Sequence, residues 1–300
     1  MSDVAGVAGR ADAAPGSAPS PESVRQLWQL YEPLHAVTYF GTQARAAFES
    51  AGLRGFWRGY FAGRAAPLGA VMAAPVTAAL FSFAPVMVAR AVPDVWQRAL
   101  PEQALAARLD GAMAVLRAVL PDEPARWAAA AGLLETAVRA AVTDGRVLGA
   151  ANAALPRPTD PLGRLWQAAT VLREHRGDGH VIALVDAELD GCQALVLRDA
   201  LYGGREQLQP NRGWTDSEWD AAARALVHRG WLADDGRPTA EGKTAHRAVE
   251  SRTDRLAAQP WTALGPTEQS RLAQLLAPLA EAAGGVVPYP NAMGLPRPAG

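Results

Sequence analysis

The chain has 300 residues, with 29 basic and 30 acidic side chains and 49% hydrophobic residues, enough apolar content for a substantial core and a length that suits two domains. This composition excludes broad disorder, a collagen or coiled-coil fibre and, with Cys192 as the single cysteine, an intrachain disulfide scaffold. A formal net charge of −1 excludes nucleic-acid binding by bulk charge and leaves only a local patch as a route to it.

In chain order, residues 1–20 are dominated by Ala, Gly, Pro and Ser and read as a flexible tail. The start Met1-Ser2-Asp3-Val4 lacks the basic and apolar regions of a secretory signal, which predicts a cytoplasmic protein. Ser20-Pro21-Glu22 is a helix start: a serine cap, proline at the first helical position and an acid in the first turn. Val24, Leu27, Trp28, Leu30 and Tyr31 then share one helical face. Ala65 to Ala89 carries no charge over 25 residues, the length of a membrane span. Pro67, Pro75 and Pro85 divide it into pieces too short to cross a bilayer, so a broken core helix is expected and no membrane partner. Trp96–Leu120 and Pro124–Val142 are rich in Ala, Leu and Arg and read as helices.

Pro156-Arg157-Pro158-Thr159-Asp160-Pro161 cannot continue a helix and reads as a hinge. Beyond it, Leu162–Glu174 is expected as a helix ending in a turn at 175–180. Val181–Leu189 and Gln193–Tyr202 follow as two short helices. Thr215-Asp216-Ser217-Glu218 matches a capping box and starts a helix to His228. Residues 233–238 read as a small two-stranded turn, and Thr239 opens a helix towards Ala258. Thr267–Ala283 is the last expected helix, and Gly284–Gly300, with four prolines, is expected to be loose. The resulting fold class is mainly all-α. It comprises a tail (1–20), a helical domain (21–155), a winged-helix-like domain with a small β-hairpin wing (156–262), a C-terminal helix (263–283) and a flexible tail (284–300).

The segment "ALVHRGWLADDGRPTAEGKTAHRAV" resembles the winged-helix domain of MarR-type regulators, with Leu226, Gly230, Leu232, Asp234, Asp235, Gly236, Thr239 and Gly242 at the matching positions. Pro238 stands where that family usually has leucine. The stretches "GYFAGRAAPLG", "FSFAPVMVARAVPDVW", "LREHRGDGH", "RGWTDSEW" and "ESRTDRLAAQPW" together make the chain similar to a family of uncharacterised actinobacterial helix-turn-helix proteins. That resemblance implies a fold and not a reaction. It makes DNA and a homodimer conceivable partners, but Asp216, Glu218 and Asp220 crowd the first turn of the expected recognition helix. Between Arg157 and Arg255 fourteen basic residues face sixteen acidic ones. Those acids cap the helix and complement its dipole, and they also repel phosphate, so DNA binding is disfavoured.

Two constellations stand out. In Arg173-Glu174-His175-Arg176-Gly177-Asp178-Gly179-His180, a tight turn at a helix start would offer free N–H groups beside Arg173, Arg176 and His180, a setting for an anion. The structural alternative is a capped turn whose arginines pair with Glu174 and Asp178. His175, Asp178 and His180 are weak metal candidates, because a spacing of five does not place the two histidines on one helix face. In the first half, Trp57, Tyr60 and Phe83 with Arg64 and Arg90 suit a planar or acidic small molecule. There the alternative is pairing of the arginines with Glu32, Glu49 or Asp94. No phosphate loop, nucleophile elbow, dinucleotide fingerprint or HExxH motif occurs, so no cofactor is named. Cys192 reads as a small buried residue.

The preferred expectation is a small-molecule-binding protein with a repurposed winged helix. Its ligand, anionic or planar, would lie between the helical domain and the 173–180 turn, held by Trp57, Tyr60, Arg64, Phe83, Arg90, Arg173, Arg176 and His180. The alternatives are a ligand-responsive MarR-like transcription regulator and an enzyme using His35, Tyr39 or His175 for acid–base chemistry in the same pocket.

Overall fold

The fold comes from a computed structural model that describes residues 19–293. Helix α1 (Pro21–Phe40) starts as expected, with the Ser20 hydroxyl accepting from the Ser23 N–H at 3.2 Å. It is followed by α2 (Thr42–Ser50) and α3 (Phe56–Ala65). The uncharged stretch is indeed broken, into a 3-10 turn (Ala66–Leu68), α4 (Ala73–Ala79) and α5 (Pro85–Ala89). Among the described residues no helix is long and apolar enough to cross a membrane. The expected helix from Trp96 is interrupted: α6 (Val95–Arg98) ends where Ala99 and Leu100 turn extended, and Pro101 begins α7 (Pro101–Val119). Proline at a first helical position needs no N–H partner, so Pro101 restarts a helix more readily than it continues one.

Helices α8 (Pro124–Ala140) and α9 (Val147–Ala153) lead to α10 (Pro161–Asp186), capped by Asp160. At 26 residues, α10 is about 39 Å long from the helical rise. It is packed on several sides by α1, α8, α9 and α14, which explains why its apolar residues follow no single stripe. The remaining helices are α11 (Gly191–Tyr202), α12 (Arg205–Arg212), α13 (Asp216–His228), α14 (Ala240–Ala258) and α15 (Pro266–Gly284). Asp190, Thr215 and Thr239 cap α11, α13 and α14 through their side chains. Three clusters fill the interior. One gathers α1, α7, α8, α10 and α15 around Trp166, Trp261 and Tyr31. A second joins α3 to α5 through Tyr60, Phe61 and Phe83. The third packs α11 and α13 through Leu195, Trp219 and Leu226.

Three further expectations need correction. The 173–180 turn does not exist: these residues lie inside α10, and 181–186 continue the same helix. The β-hairpin wing is reduced, among the described residues, to one isolated antiparallel bridge between Leu232 and Pro238 closing a turn at Gly236. Third, the expected loose end is docked as far as residue 293, with Val287 and Asn291 buried. Residues 1–18 and 294–300, where the flexible tails were expected, lie outside the described residues.

Candidate functional site

A cavity of about 770 Å3 lies where α1, α3, α10, α11, α12 and α14 converge, lined also by the segment 79–83 and by Met293. This is within the range of small-molecule sites. Five of the eight expected ligand contacts border it: Tyr60, Arg64, Phe83, Arg173 and His180. The other three do not. Trp57 packs edge-on behind Phe83, with ring centroids 5.6 Å apart. Arg90 is exposed and donates to the Met87 sulfur, and Arg176 is spent on Asp254 at 2.8 Å while stacking over Trp28.

Burial dictates how the basic groups are arranged. Arg64 and Arg173 converge on Glu174, which is 1% exposed. Arg64 also donates to the Tyr60 hydroxyl at 3.0 Å, and Arg173 donates to Glu32 at 3.4 Å. Burial alone would raise the Glu174 carboxyl, but the two guanidiniums override it and hold it down at about 2. The expected partners thus sorted differently: Glu32 serves Arg173, Glu49 lies beside Arg45, and Asp94 pairs with Arg98 and Arg58. Asp178 accepts from the Gly149 N–H at 2.8 Å, and burial pushes its carboxyl up to about 6.

His180 donates or accepts through Nδ1 with the Thr253 hydroxyl at 2.9 Å. Because that hydroxyl itself donates to the Val249 carbonyl, Nδ1 carries the proton and Nε2 is left as an acceptor. His246, edge-on to Tyr202, completes this side of the cavity.

The residue that sequence reasoning missed is Arg212, at the end of α12 and 5% exposed. Its Nη1 donates to the Ala292 carbonyl at 2.8 Å and its Nη2 to the Met293 carbonyl at 3.2 Å, while its buried Nε has no partner among the described residues. No carboxylate pairs with it there, and burial lowers its guanidinium to about 10. In Pro210-Asn211-Arg212-Gly213 an arginine has no contrast with its neighbours, so nothing flags it. Arg25, Trp28, Arg198 and Glu250 also border the cavity and were missed.

Two of the three acid–base candidates meet, away from the cavity. His35 Nε2 meets the Tyr39 hydroxyl at 2.6 Å and Nδ1 meets Thr170, with burial lowering the imidazole well below its ordinary value. His175 instead faces the Val142 carbonyl at 3.0 Å. None of the three borders the cavity. Among the described residues no group of three or more His, Cys, Asp or Glu side chains is placed to hold a metal, and His175, Asp178 and His180 turn to separate partners, Val142, Gly149 and Thr253. Cys192 is buried, and that burial pushes its thiol up to about 12.

On the outer surface, α13 exposes Asp216, Glu218 and Asp220 at its start and Arg224, His228 and Arg229 at its end. Trp219, Ala222 and Leu226 face inward.

The sequence profile of a helix-turn-helix family matches residues 24–288. No curated protein and no solved structure gives a significant match. The match spans most of the chain, from α1 to the docked C-terminal segment, and the chain belongs to this helix-turn-helix family.

Proposed function

We propose that this chain is a small-molecule-binding member of its family, in which the helix-turn-helix segment serves as one wall of a ligand pocket. The observation that carries the reading is that α11, α12 and α14 contribute Leu195, Arg198, Arg212, His246 and Val249 to the same cavity that Arg64 and Arg173 line. Sites of this kind combine apolar walls with a few placed polar groups. The order α11, α12, α13, closed turn, α14 supports a winged-helix-like unit over 156–262 with a minimal wing, set against the helical part 21–155.

The test is a thermal-shift screen of small planar and anionic compounds on the wild type and on Ala194→Trp, which places an indole in the cavity. Compounds that stabilise the wild type but not the variant support the reading. Stabilisation that persists in Ala194→Trp puts binding elsewhere and overturns it.

A second reading, a ligand-responsive regulator acting on DNA as a homodimer, is favoured by the family match and by Arg224, His228 and Arg229 at the end of α13. The acids at its start weigh against it, since phosphate contacts supply much of any DNA affinity. Titrating a fluorescent duplex at low and moderate salt separates the two. Affinity that depends on duplex sequence establishes the regulator; weak, sequence-blind binding removes it.

A further inference from the structure

We propose that the cavity takes an aromatic monocarboxylate, and that its carboxylate docks side-on to Arg212 in place of the Met293 carbonyl. This rests on the cavity being a ligand site and adds which chemistry it selects. Arg25, Arg64 and Arg173 each already have a carboxylate partner, in Asp254, Glu174 and Glu32. Arg212 has only two neutral carbonyls, so its buried charge is uncompensated among the described residues.

The vacant direction is specific. A carboxylate binds a guanidinium best through two parallel N–H bonds. Along the Nε–Nη2 edge of Arg212, Nε is unpartnered and Nη2 holds the longer of its two bonds, 3.2 Å against 2.8 Å. The Phe83 ring lies under the same guanidinium, centroid 4.4 Å from Cζ, and Tyr60 continues that wall 5.6 Å from Phe83. Both rings line the cavity, so a flat ring carried by the carboxylate has aromatic neighbours there. One negative charge matches the charge of Arg212, which no carboxylate offsets among the described residues. A phosphate brings about −1.5 to −2 into a cavity that Asp178 and Glu250 also line, which disfavours a dianion. Because the incoming carboxylate replaces the Met293 carbonyl, binding loosens the hold of Arg212 on residues 292–293, the end of the docked segment 286–293.

The experiment is calorimetric titration of the full chain with 2-naphthoate and anthracene-2-carboxylate, their carboxamides, and 2-naphthyl phosphate. Hydrogen exchange of segment 286–293 is followed in parallel. The acids are expected to bind at least about tenfold tighter than their amides, as a charge-assisted pair predicts. Arg212→Gln should bring that ratio close to one, whereas Arg90→Gln, outside the cavity, should leave it unchanged. In the wild type, exchange at 286–293 should rise with the acids and not with the amides, a readout that needs no variant. Equal binding of acids and amides, both lost in Ala194→Trp, overturns the carboxylate assignment and leaves the cavity reading standing. Tighter binding of the phosphate, or an unchanged ratio in Arg212→Gln, also overturns it. Failure of all five probes on the wild type sinks the assignment, while the cavity reading stands or falls on the wider screen with Ala194→Trp.

Discussion

The guanidinium of Arg212 lies 4.4 Å from the centroid of the Phe83 ring, and no carboxylate stands beside it among the described residues. Arg64, which lines the same cavity, has the opposite arrangement, with Glu174 engaged through Nε and Nη2. The two arginines should therefore answer differently to the same substitution. Arg212→Met removes a buried charge held by neutral groups, so the lost hydrogen bonds are offset and stability at pH 7 should stay within about 1 kcal/mol of wild type. Arg64→Met takes one of two cations from a buried carboxylate and should cost about 3 kcal/mol. Urea unfolding at pH 7 checks both; equal losses would mean that Arg212 is compensated as fully as Arg64.

Asp178 shows a cost built into the cavity wall. Burial pushes its carboxyl from an ordinary value near 3.8 up to about 6. A raised carboxyl binds its proton more tightly in the native state, so the stability it contributes is complete below about 4 and is lost as pH rises through about 6. Asp178→Asn keeps an acceptor for the Gly149 N–H and removes the ionisation. It should stabilise the protein at pH 8, by at most about 3 kcal/mol, and have little effect at pH 4. Urea midpoints at the two pH values test this, and a loss of stability at pH 8 would reject the assigned cost.

Much of the helical framework was legible, because caps are local. Ser20, Thr215 and Thr239 each announce a helix start within four residues, and each accepts the expected backbone bond. The aromatic and arginine residues Tyr60, Arg64 and Phe83 stood out against apolar neighbours and do border the cavity. What failed was local reading where tertiary contacts decide. Gly177-Asp178-Gly179 has turn chemistry, yet Asp178 spends its side chain on Gly149 of α9 rather than on its own backbone. Gly179 leaves room for Arg146, which ties the His175 carbonyl to that of Leu256. Burial on several sides outweighs the helix penalty of two glycines, about 1 kcal/mol each, and α10 runs straight through. Arg212 was invisible for the converse reason: it sits in a polar stretch, and only the fold buries it.

The close approach of α9 to α10 makes a further prediction. A Cβ at Gly149 would lie 3.0 Å from the His175 Cα and 3.3 Å from its backbone N, atoms that no side-chain rotation can move. Gly149→Ala gains helix propensity, about 1 kcal/mol, but forces the helices apart and weakens the bond to Asp178. The net cost is expected to be about 1–2 kcal/mol, read as a lowered urea midpoint. A stabilised variant would mean that α9 shifts freely against α10.

Glu174 should govern part of the acid limb of stability. Its carboxyl is buried, which by itself would raise it, yet Arg64 and Arg173 hold it down at about 2 from an ordinary value near 4.5. A carboxyl lowered in the native state contributes stability that is fully present above the ordinary value and is lost as pH falls through the native one. The window therefore runs from about 4.5 down to about 2, and the contribution is on the order of 3 kcal/mol. Glu174→Gln removes that contribution at every pH and leaves two guanidiniums without their shared anion, so at pH 7 it should cost about 3–5 kcal/mol. As pH falls through the window, wild type loses what the variant never had, and the gap between their urea midpoints should narrow. Glu135, also held down at about 2, by Arg164 and Arg157, acts equally on both proteins and cancels in the difference. A gap that stays constant from pH 5 to pH 2.5 would show that Glu174 is not held ionised by Arg64 and Arg173, and that the cavity's basic wall is balanced in some other way.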